Sequence, residues 1–126
     1  MKDKKFIIIS GANGYLSRYF TNNLLKKYNL ILWDIKFDKN YISTINLLSK
    51  KNDSVVKIMK VDISNQSKVR KAVEIIKNKK IEIYGLINCA GLNPQANIIN
   101  PDYFKNYKSF IEMWNKEINI SLKGYM

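Results

Sequence analysis

The chain has 126 residues, a formal net charge of +12 and a hydrophobic fraction of 46%. This length allows at most one domain and is short for a complete doubly wound enzyme, and the composition is that of a globular protein. The basic residues are mostly Lys and are spread along the chain without an Arg-rich stripe, so we expect no nucleic-acid partner. No apolar run is long enough to cross a bilayer and no secretory signal is present, so we expect no membrane partner and a cytoplasmic location.

The single Cys and the absence of His exclude several kinds of chemistry. Cys89 is the single cysteine, so an intrachain disulfide is impossible, and we expect a buried, inert thiol. The sequence contains no His, which excludes His-based triads, His zinc ligands and His general bases within this chain. We therefore expect no metal site.

Four apolar, β-branched runs are typical of strands that are buried in a parallel sheet. They are Lys5 to Ser10, Leu30 to Asp34, Val55 to Ile63 and Ile83 to Cys89.

Helical spacing of apolar residues fills the intervals between these strands. The first helix follows a glycine turn, runs to about Tyr28 and carries Leu16, Phe20 and Leu24. The second spans Tyr41 to Lys51, with Ile42, Ile45 and Leu48 on one face. The third is predicted to be capped by Ser64, with an apolar face of Val69, Ala72, Val73 and Ile76. After a connection from Asn93 to Pro101, the fourth starts near Ser109 and presents Phe110, Met113, Trp114 and Ile118.

Strands that alternate with helices predict an α/β fold, a Rossmann-type doubly wound parallel sheet with strand order 3-2-1-4. We expect residues 1–126 to form one NAD(P)-binding domain that is truncated after about four strands. The outer edge of the fourth strand would then lack a neighbour. Unpaired backbone groups at such an edge favour a homo-oligomer or self-association.

A glycine turn stands between the first strand and the first helix. Gly11 permits the tight turn, and Gly14 lets backbone amides approach a pyrophosphate at the positive end of the helix. The predicted cofactor-binding residues of this turn are Ser10, Gly11, Asn13, Gly14, Tyr15 and Leu16. Ser17 stands where close helix–strand packing usually requires Gly, so we expect some loss of packing there.

Asp34 lies twenty residues after Gly14, at the end of the second strand. A carboxylate at this place can accept hydrogen bonds from the adenosine ribose and would repel a 2′-phosphate, which favours NAD over NADP. The alternative is a strand-end Asp that only begins a turn. Lys36 and Lys39 are close enough to weaken the preference.

Two further motifs stand at strand ends: Asp62-Ile63 after the third strand, and Asn88-Cys89-Ala90-Gly91 after the fourth. Ligands of open α/β sheets bind beyond the carboxyl ends of the strands. We therefore include Asp62, Ile63, Asn88, Ala90 and Gly91 among the cofactor-binding residues.

With these motifs the sequence resembles the short-chain dehydrogenase/reductase superfamily. Ser10 to Ser17 is similar to the family's glycine-rich loop, Asp62 to its adenine-contacting acid, and Asn88 to Gly91 to its Asn-Asn-Ala-Gly signature, with Cys89 as the departure. The resemblance implies an NAD(P)-dependent oxidoreductase that moves a hydride between a nicotinamide dinucleotide and an unknown small-molecule alcohol or carbonyl. It also implies a catalytic role for Asn119, which matches the helix Asn that supports the family's proton relay.

The family's acid catalyst is a Tyr with a Lys four residues later, and this chain contains no Tyr-x-x-x-Lys. We therefore expect the cofactor-binding part alone, with catalysis by this chain left open. Two alternatives remain. The Gly11-x-x-Gly14 spacing resembles extended-type nucleotide-sugar epimerases and dehydratases, and the fold also serves non-catalytic nucleotide-binding modules.

Overall fold

The computed structural model describes residues 4–91 and 107–122. Their elements are β1 (Phe6–Ser10), α1 (Tyr15–Leu24), β2 (Asn29–Asp34), α2 (Lys39–Lys51), β3 (Val56–Lys60), α3 (Gln66–Asn78), β4 (Ile83–Asn88) and α4 (Tyr107–Ser121). The chain divides into two compact units, Met1–Ala90 and Gly91–Met126. The first unit contains the sheet, and the second contains α4. The predicted connection from Asn93 to Pro101 lies outside the described residues.

The four strands form one parallel sheet in the order β3-β2-β1-β4, which confirms the predicted strand order. In the register, Ser10 at the end of β1 stands opposite Trp33 of β2 and Asn88 of β4. The carboxyl ends of three neighbouring strands therefore reach the same edge of the sheet.

The two faces of the sheet bury alternate residues of the central strands. On one face, Ile7 and Ile9 of β1 and Leu30 and Leu32 of β2 pack with Ile45 of α2. The opposite face buries a second cluster, which α3 covers: Ile8, Ile31, Trp33, Val61, Ala72 and Ile76. Helices cover both faces, so the predicted doubly wound architecture is confirmed.

The helix faces differ from the predicted ones in two places. The buried residues of α1 are Ser17 and Thr21, whose small side chains let the helix approach the sheet, and Leu16 is rotated outward to 60% exposure. In α3, Ala72 and Ile76 are buried, but Val73 is exposed.

Some element ends also differ from the predictions. The cap of α3 is Asn65, whose side chain accepts the Lys68 N–H; the prediction that Ser64 caps this helix is wrong. Strand β3 ends at Lys60, before the predicted Ile63. No helix within residues 4–91 and 107–122 has the length and apolarity that a bilayer crossing requires. Among the described strands β4 pairs only with β1, and self-association through its outer edge stays a prediction.

Asn29 joins the amino ends of three strands. Its side-chain amide donates to the Lys4 carbonyl at 2.8 Å, and its Oδ1 accepts the Val55 N–H at 2.8 Å. The residue is only 3% exposed, so these backbone groups have limited access to water as an alternative partner. Unpaired polar groups in such a place are costly, so this side chain holds β1 and β3 against β2 at the edge opposite the glycine turn.

We expect Asn29→Ala to lower the free energy of unfolding by about 2 kcal/mol, because it leaves two backbone groups without a partner. Urea denaturation followed by circular dichroism measures the change. The control is Asn23→Ala, which removes only an exposed bond to the Tyr19 carbonyl and should change stability by less than about 0.5 kcal/mol. Equal effects of the two substitutions would show that Asn29 does not join the strands.

Candidate functional site

The turn after β1 is held against the end of β4. Gly11 has a φ of +66°, and a Cβ atom built on it would lie 2.4 Å from the Ala90 nitrogen and 2.5 Å from the Ala90 Cα. Both the backbone conformation and the available space therefore require glycine. The neighbouring bonds fix the turn on both sides: the Ala12 N–H donates to the Trp33 carbonyl at 3.0 Å, and the Cys89 N–H to the Ser10 carbonyl at 3.0 Å.

Ser10 and Asn88 connect the glycine turn to the Asn88–Gly91 motif. The Ser10 hydroxyl donates to Asn88 Oδ1 at 3.2 Å, and Ser10 is buried whereas Asn88 is exposed. Cys89 is partly buried and packs against the core cluster of Ile7 and Ile9, as a small apolar side chain would. The structure thus brings together two motifs that are 78 residues apart in the chain.

The N-terminus of α1 has no side-chain cap. Gly14 is its extended N-cap residue, with φ −72° and ψ 163°, and no side chain accepts a hydrogen bond from the first turn. In contrast, α2 is capped by Asp38 and α3 by Asn65. Amide groups at an uncapped helix start, together with the helix dipole, favour an anion.

The Ser17 side chain is hydrogen-bonded to the glycine turn. Its hydroxyl donates to the Gly11 carbonyl at 2.5 Å, and the same carbonyl accepts the Gly14 N–H at 3.0 Å. The side chain is 1% exposed. The expected loss of packing is therefore absent, because the hydroxyl finds a partner in the turn itself. Outside the turn, the Tyr15 and Leu16 side chains are exposed, so both are accessible from solvent.

Asp34 is bonded directly to the glycine turn. Its Oδ2 accepts the Asn13 N–H at 2.9 Å, and its Oδ1 accepts the Ile35 N–H at 2.7 Å. A carboxylate has about four acceptor positions, so both oxygens keep capacity for the hydroxyl groups of a ligand. An Asp that only begins a turn would bond within its own loop. The bond to Asn13 instead joins β2 to the predicted phosphate-binding loop.

Of the remaining predicted residues, Asp62 and Ile63 follow β3, whereas Gly91 and Asn119 belong to the second unit. Asp62 is bonded within its own loop, because its Oδ1 accepts the backbone N–H of Ser64 at 3.0 Å and the hydroxyl of Ser64 at 2.6 Å. Ile63 packs partly against the cluster that contains Trp33. Gly91 is exposed at the start of the second unit, and Asn119 is exposed on α4 of that unit.

Asn13 is predicted from the sequence as a site residue, but its partner Arg18 is not. Its Nε donates to the Asn13 carbonyl at 3.0 Å and its Nη2 to Asn13 Oδ1 at 3.2 Å. The guanidinium also lies 3.9 Å from the Asp38 carboxylate and 4.2 Å from the centre of the Tyr41 ring. One signal was available: a cation one turn into a helix opposes the macrodipole, which suggests a specific partner.

Three buried polar groups of α1, α2 and β2, those of Thr21, Tyr41 and Trp33, lack a full hydrogen bond within the described part of the chain. Burial raises the pKa of the Tyr41 hydroxyl, while the Thr21 hydroxyl and the Arg18 charge act in the opposite direction. The Tyr41 and Thr21 hydroxyls approach each other without the geometry of a full hydrogen bond. Trp33 is 5% exposed, and its indole N–H has no hydrogen-bond partner within the described part of the chain.

Comparison with known families gives a match over most of the chain. Residues 6–107 match the family model of the KR domain. No curated protein sequence matches the chain significantly.

Solved structures share the fold. A protein of Burkholderia xenovorans that is described as a short-chain dehydrogenase/reductase superposes with a TM-score of 0.76 at 17% identity, over 98% of this chain and 49% of that one. Levodione reductase gives a TM-score of 0.73 at 21% identity, over 95% and 44%. The NADH-dependent reductase A1-R′ in complex with NAD gives 0.75 at 15% identity, over 97% and 48%.

The chain thus spans about half the length of these structures. The family-model match covers both the glycine turn and the Asn88–Gly91 motif that contacts it. The chain belongs to the KR-domain family of short-chain dehydrogenases/reductases.

Proposed function

We propose that this chain is the nicotinamide dinucleotide-binding part of a short-chain dehydrogenase/reductase-type oxidoreductase. Its reaction would move a hydride between the cofactor and the carbon of an alcohol or carbonyl substrate. One observation carries the proposal: Gly11 lies against the Ala90 backbone, so the uncapped start of α1 and the ends of β1, β2 and β4 form one edge. Open α/β sheets bind their ligands at such a switch point.

The residues at this edge of the sheet have the chemistry that a dinucleotide requires. The pyrophosphate would lie over the turn from Gly11 to Leu16 and be bound by the first amides of α1, those of Tyr15 and Leu16, because the helix start offers donors and a positive dipole end without a competing cap. The N–H groups of Ala12, Asn13 and Gly14 already donate within the protein and shape the turn. The adenosine ribose would be bound by Asp34, whose two oxygens are already oriented by backbone N–H groups. The residue types present therefore suit both the charged and the hydroxyl-bearing parts of the ligand.

The other predicted residues complete the proposed site. Asp62 and Ile63 follow β3 and would contact the adenine side, as the resemblance implies. Asn88 and Ala90 would lie beside the dinucleotide beyond β4, with Asn88 held by the Ser10 hydroxyl. Gly91 is proposed as a cofactor-binding residue on the resemblance alone. Asn119 is proposed to support the proton relay, as the resemblance implies.

When bound, the nicotinamide ring supplies or accepts the hydride. The residues of this chain bind and orient the cofactor, and Ser10 holds Asn88 in place through its hydroxyl. An acid catalyst of the Tyr-x-x-x-Lys kind would be required for turnover, and the sequence contains none. We therefore propose binding as the function of this chain, and calorimetric titration with NADH tests it directly.

We expect Gly14→Val to raise the dissociation constant for NADH at least about tenfold, or about 1.4 kcal/mol. A Cβ at Gly14 lies 3.1 Å from the Gly11 carbonyl oxygen, so a branched side chain would crowd the start of α1 where the pyrophosphate is proposed to bind. Calorimetric titration measures affinity, and circular dichroism checks the fold.

The matched control is Gly85→Ala, whose Cβ would meet Ile7 at an ordinary 3.9 Å and should leave NADH binding unchanged. If a folded Gly14→Val variant binds NADH with unchanged affinity, the pyrophosphate does not bind at this turn.

We also propose that the chain prefers NAD to NADP, because the Asp34 carboxylate would repel a 2′-phosphate. The expected ratio of dissociation constants is at least about fivefold, from a Coulomb repulsion of about 1 kcal/mol. Asp34→Asn keeps an oxygen for the Asn13 N–H but removes the charge, so it should lower this ratio towards one.

Fluorescence titrations with NADH and NADPH measure both constants. Glu74→Gln removes an equal charge from the exposed surface of α3 and should leave the ratio unchanged. Equal or tighter NADPH binding by the unaltered chain would show that Lys36 or Lys39 dominates, and it would contradict the ribose role of Asp34.

A further inference from the structure

Arg18 contacts both acceptor groups of a single residue. Its Nε donates to the backbone carbonyl of Asn13 at 3.0 Å, and its Nη2 donates to the side-chain Oδ1 of Asn13 at 3.2 Å. A planar guanidinium presents its donors in a fixed fork, so two such bonds define the orientation of their partner. The ammonium group of a lysine has no such fork.

Two neighbours hold the guanidinium itself. The Asp38 carboxylate lies 3.9 Å from Nη2, and the ring of Tyr41 lies below the guanidinium, with its centre 4.2 Å away. The ion pair is partly exposed and alone would fix little. The cation–π contact holds the guanidinium over the Tyr41 ring, and the two hydrogen bonds to Asn13 fix its orientation there.

Asn13 in turn holds one oxygen of the Asp34 carboxylate, while the Ile35 N–H holds the other. The Asn13 N–H donates to Asp34 Oδ2 at 2.9 Å, and Asn13 Oδ1 also accepts the Asp38 N–H at 3.0 Å. Asn13 therefore bridges the glycine turn, the end of β2 and the start of α2. A displacement of Asn13 would move the donor that orients Asp34.

We propose that Arg18 is a positioning residue for dinucleotide binding: through Asn13 it holds the Asp34 carboxylate in the orientation that receives the adenosine ribose. This role rests on the proposed function, because it needs a ribose hydroxyl at Asp34. It requires no contact between Arg18 and the cofactor. Arg18 therefore acts on affinity and on the choice between NADH and NADPH only through Asp34.

A double-mutant cycle on the full chain tests this dependence. Arg18→Met and Arg18→Lys are each combined with Asp34→Ala, and the dissociation constants for NADH and NADPH are measured by fluorescence titration. We expect Arg18→Met to weaken NADH binding about fivefold or more when Asp34 is present, but less than about twofold when it is absent. Arg18→Lys should behave like Arg18→Met, because charge without the fork cannot hold Asn13. Arg70→Met, at the exposed second arginine of the chain, should change neither constant.

A second measurement needs no ligand. Amide hydrogen exchange of Asn13 reports the bond to Asp34, and it should become at least about tenfold faster in Arg18→Met and Arg18→Lys, while the Leu32 amide in the centre of β2 stays unchanged. This readout distinguishes a local loss of positioning from a general loss of stability, which would accelerate both amides.

Each outcome decides between defined possibilities. If NADH binds equally well to the unaltered chain and to Arg18→Met, or if Asn13 exchange is unchanged, the proposal is wrong and the proposed function stands. An equal loss with and without Asp34 would mean that Arg18 touches the cofactor or acts on stability, and it would also overturn the proposal. If the unaltered chain binds neither dinucleotide, the proposed function fails and the positioning role fails with it.

Discussion

The close approach of Gly11 to the Ala90 backbone is the constraint on which the rest of the site depends. The two residues come from loops that follow β1 and β4, and they meet with no room for a side chain between them. This contact is possible because β1 and β4 are adjacent parallel strands whose ends, Ser10 and Asn88, are in register. A left-handed glycine then turns the chain away from β4 and into the start of α1.

From this contact the polar network extends in two directions. Towards β4, the Ser10 hydroxyl reaches Asn88, and the Ser10 carbonyl accepts the Cys89 N–H. Towards β2, Ala12 bonds to the Trp33 carbonyl and Asn13 bonds to Asp34. The turn therefore makes bonds to both neighbouring strands, which is how one short loop can set the position of groups on three strands.

The strands could be predicted because they carry their own signal, and their order followed from the alternation of strands with helices. Ile7, Ile8 and Ile9 are buried on alternating faces, and such a continuous β-branched run is typical of a strand in a sheet that is covered on both sides. The helix face of α1 could not be predicted as well, since Leu16 has the right spacing while the small Ser17 and Thr21 actually face the sheet. The cap of α3 was misassigned because Ser64 and Asn65 are both capping residues, and the Asp62 carboxylate binds the first of them.

In the candidate site too, some residues could be predicted from the sequence and others could not. Gly11 and Asp34 follow from their positions at strand ends and Gly14 from its position at a helix start. The contacts of Arg18 with Asn13, Asp38 and Tyr41 instead depend on α1 and the start of α2 coming together in three dimensions. Asn13 reaches the Asp38 N–H across a separation of 25 residues. The sequence pattern of a single helix or strand cannot reveal such a bond, because the two residues come close only when the chain is folded.

The burial of Trp33 gives the molecule an optical probe at the base of the proposed site. The chain has two tryptophans; Trp33 is 5% exposed, and Trp114 on α4 is 54% exposed. An aqueous quencher such as iodide therefore reaches the second indole and not the first, so their emissions can be separated in the unmodified chain. Since the Trp33 carbonyl accepts the Ala12 N–H and Asp34 follows it directly, the shielded emission originates one residue from the predicted ribose-binding carboxylate.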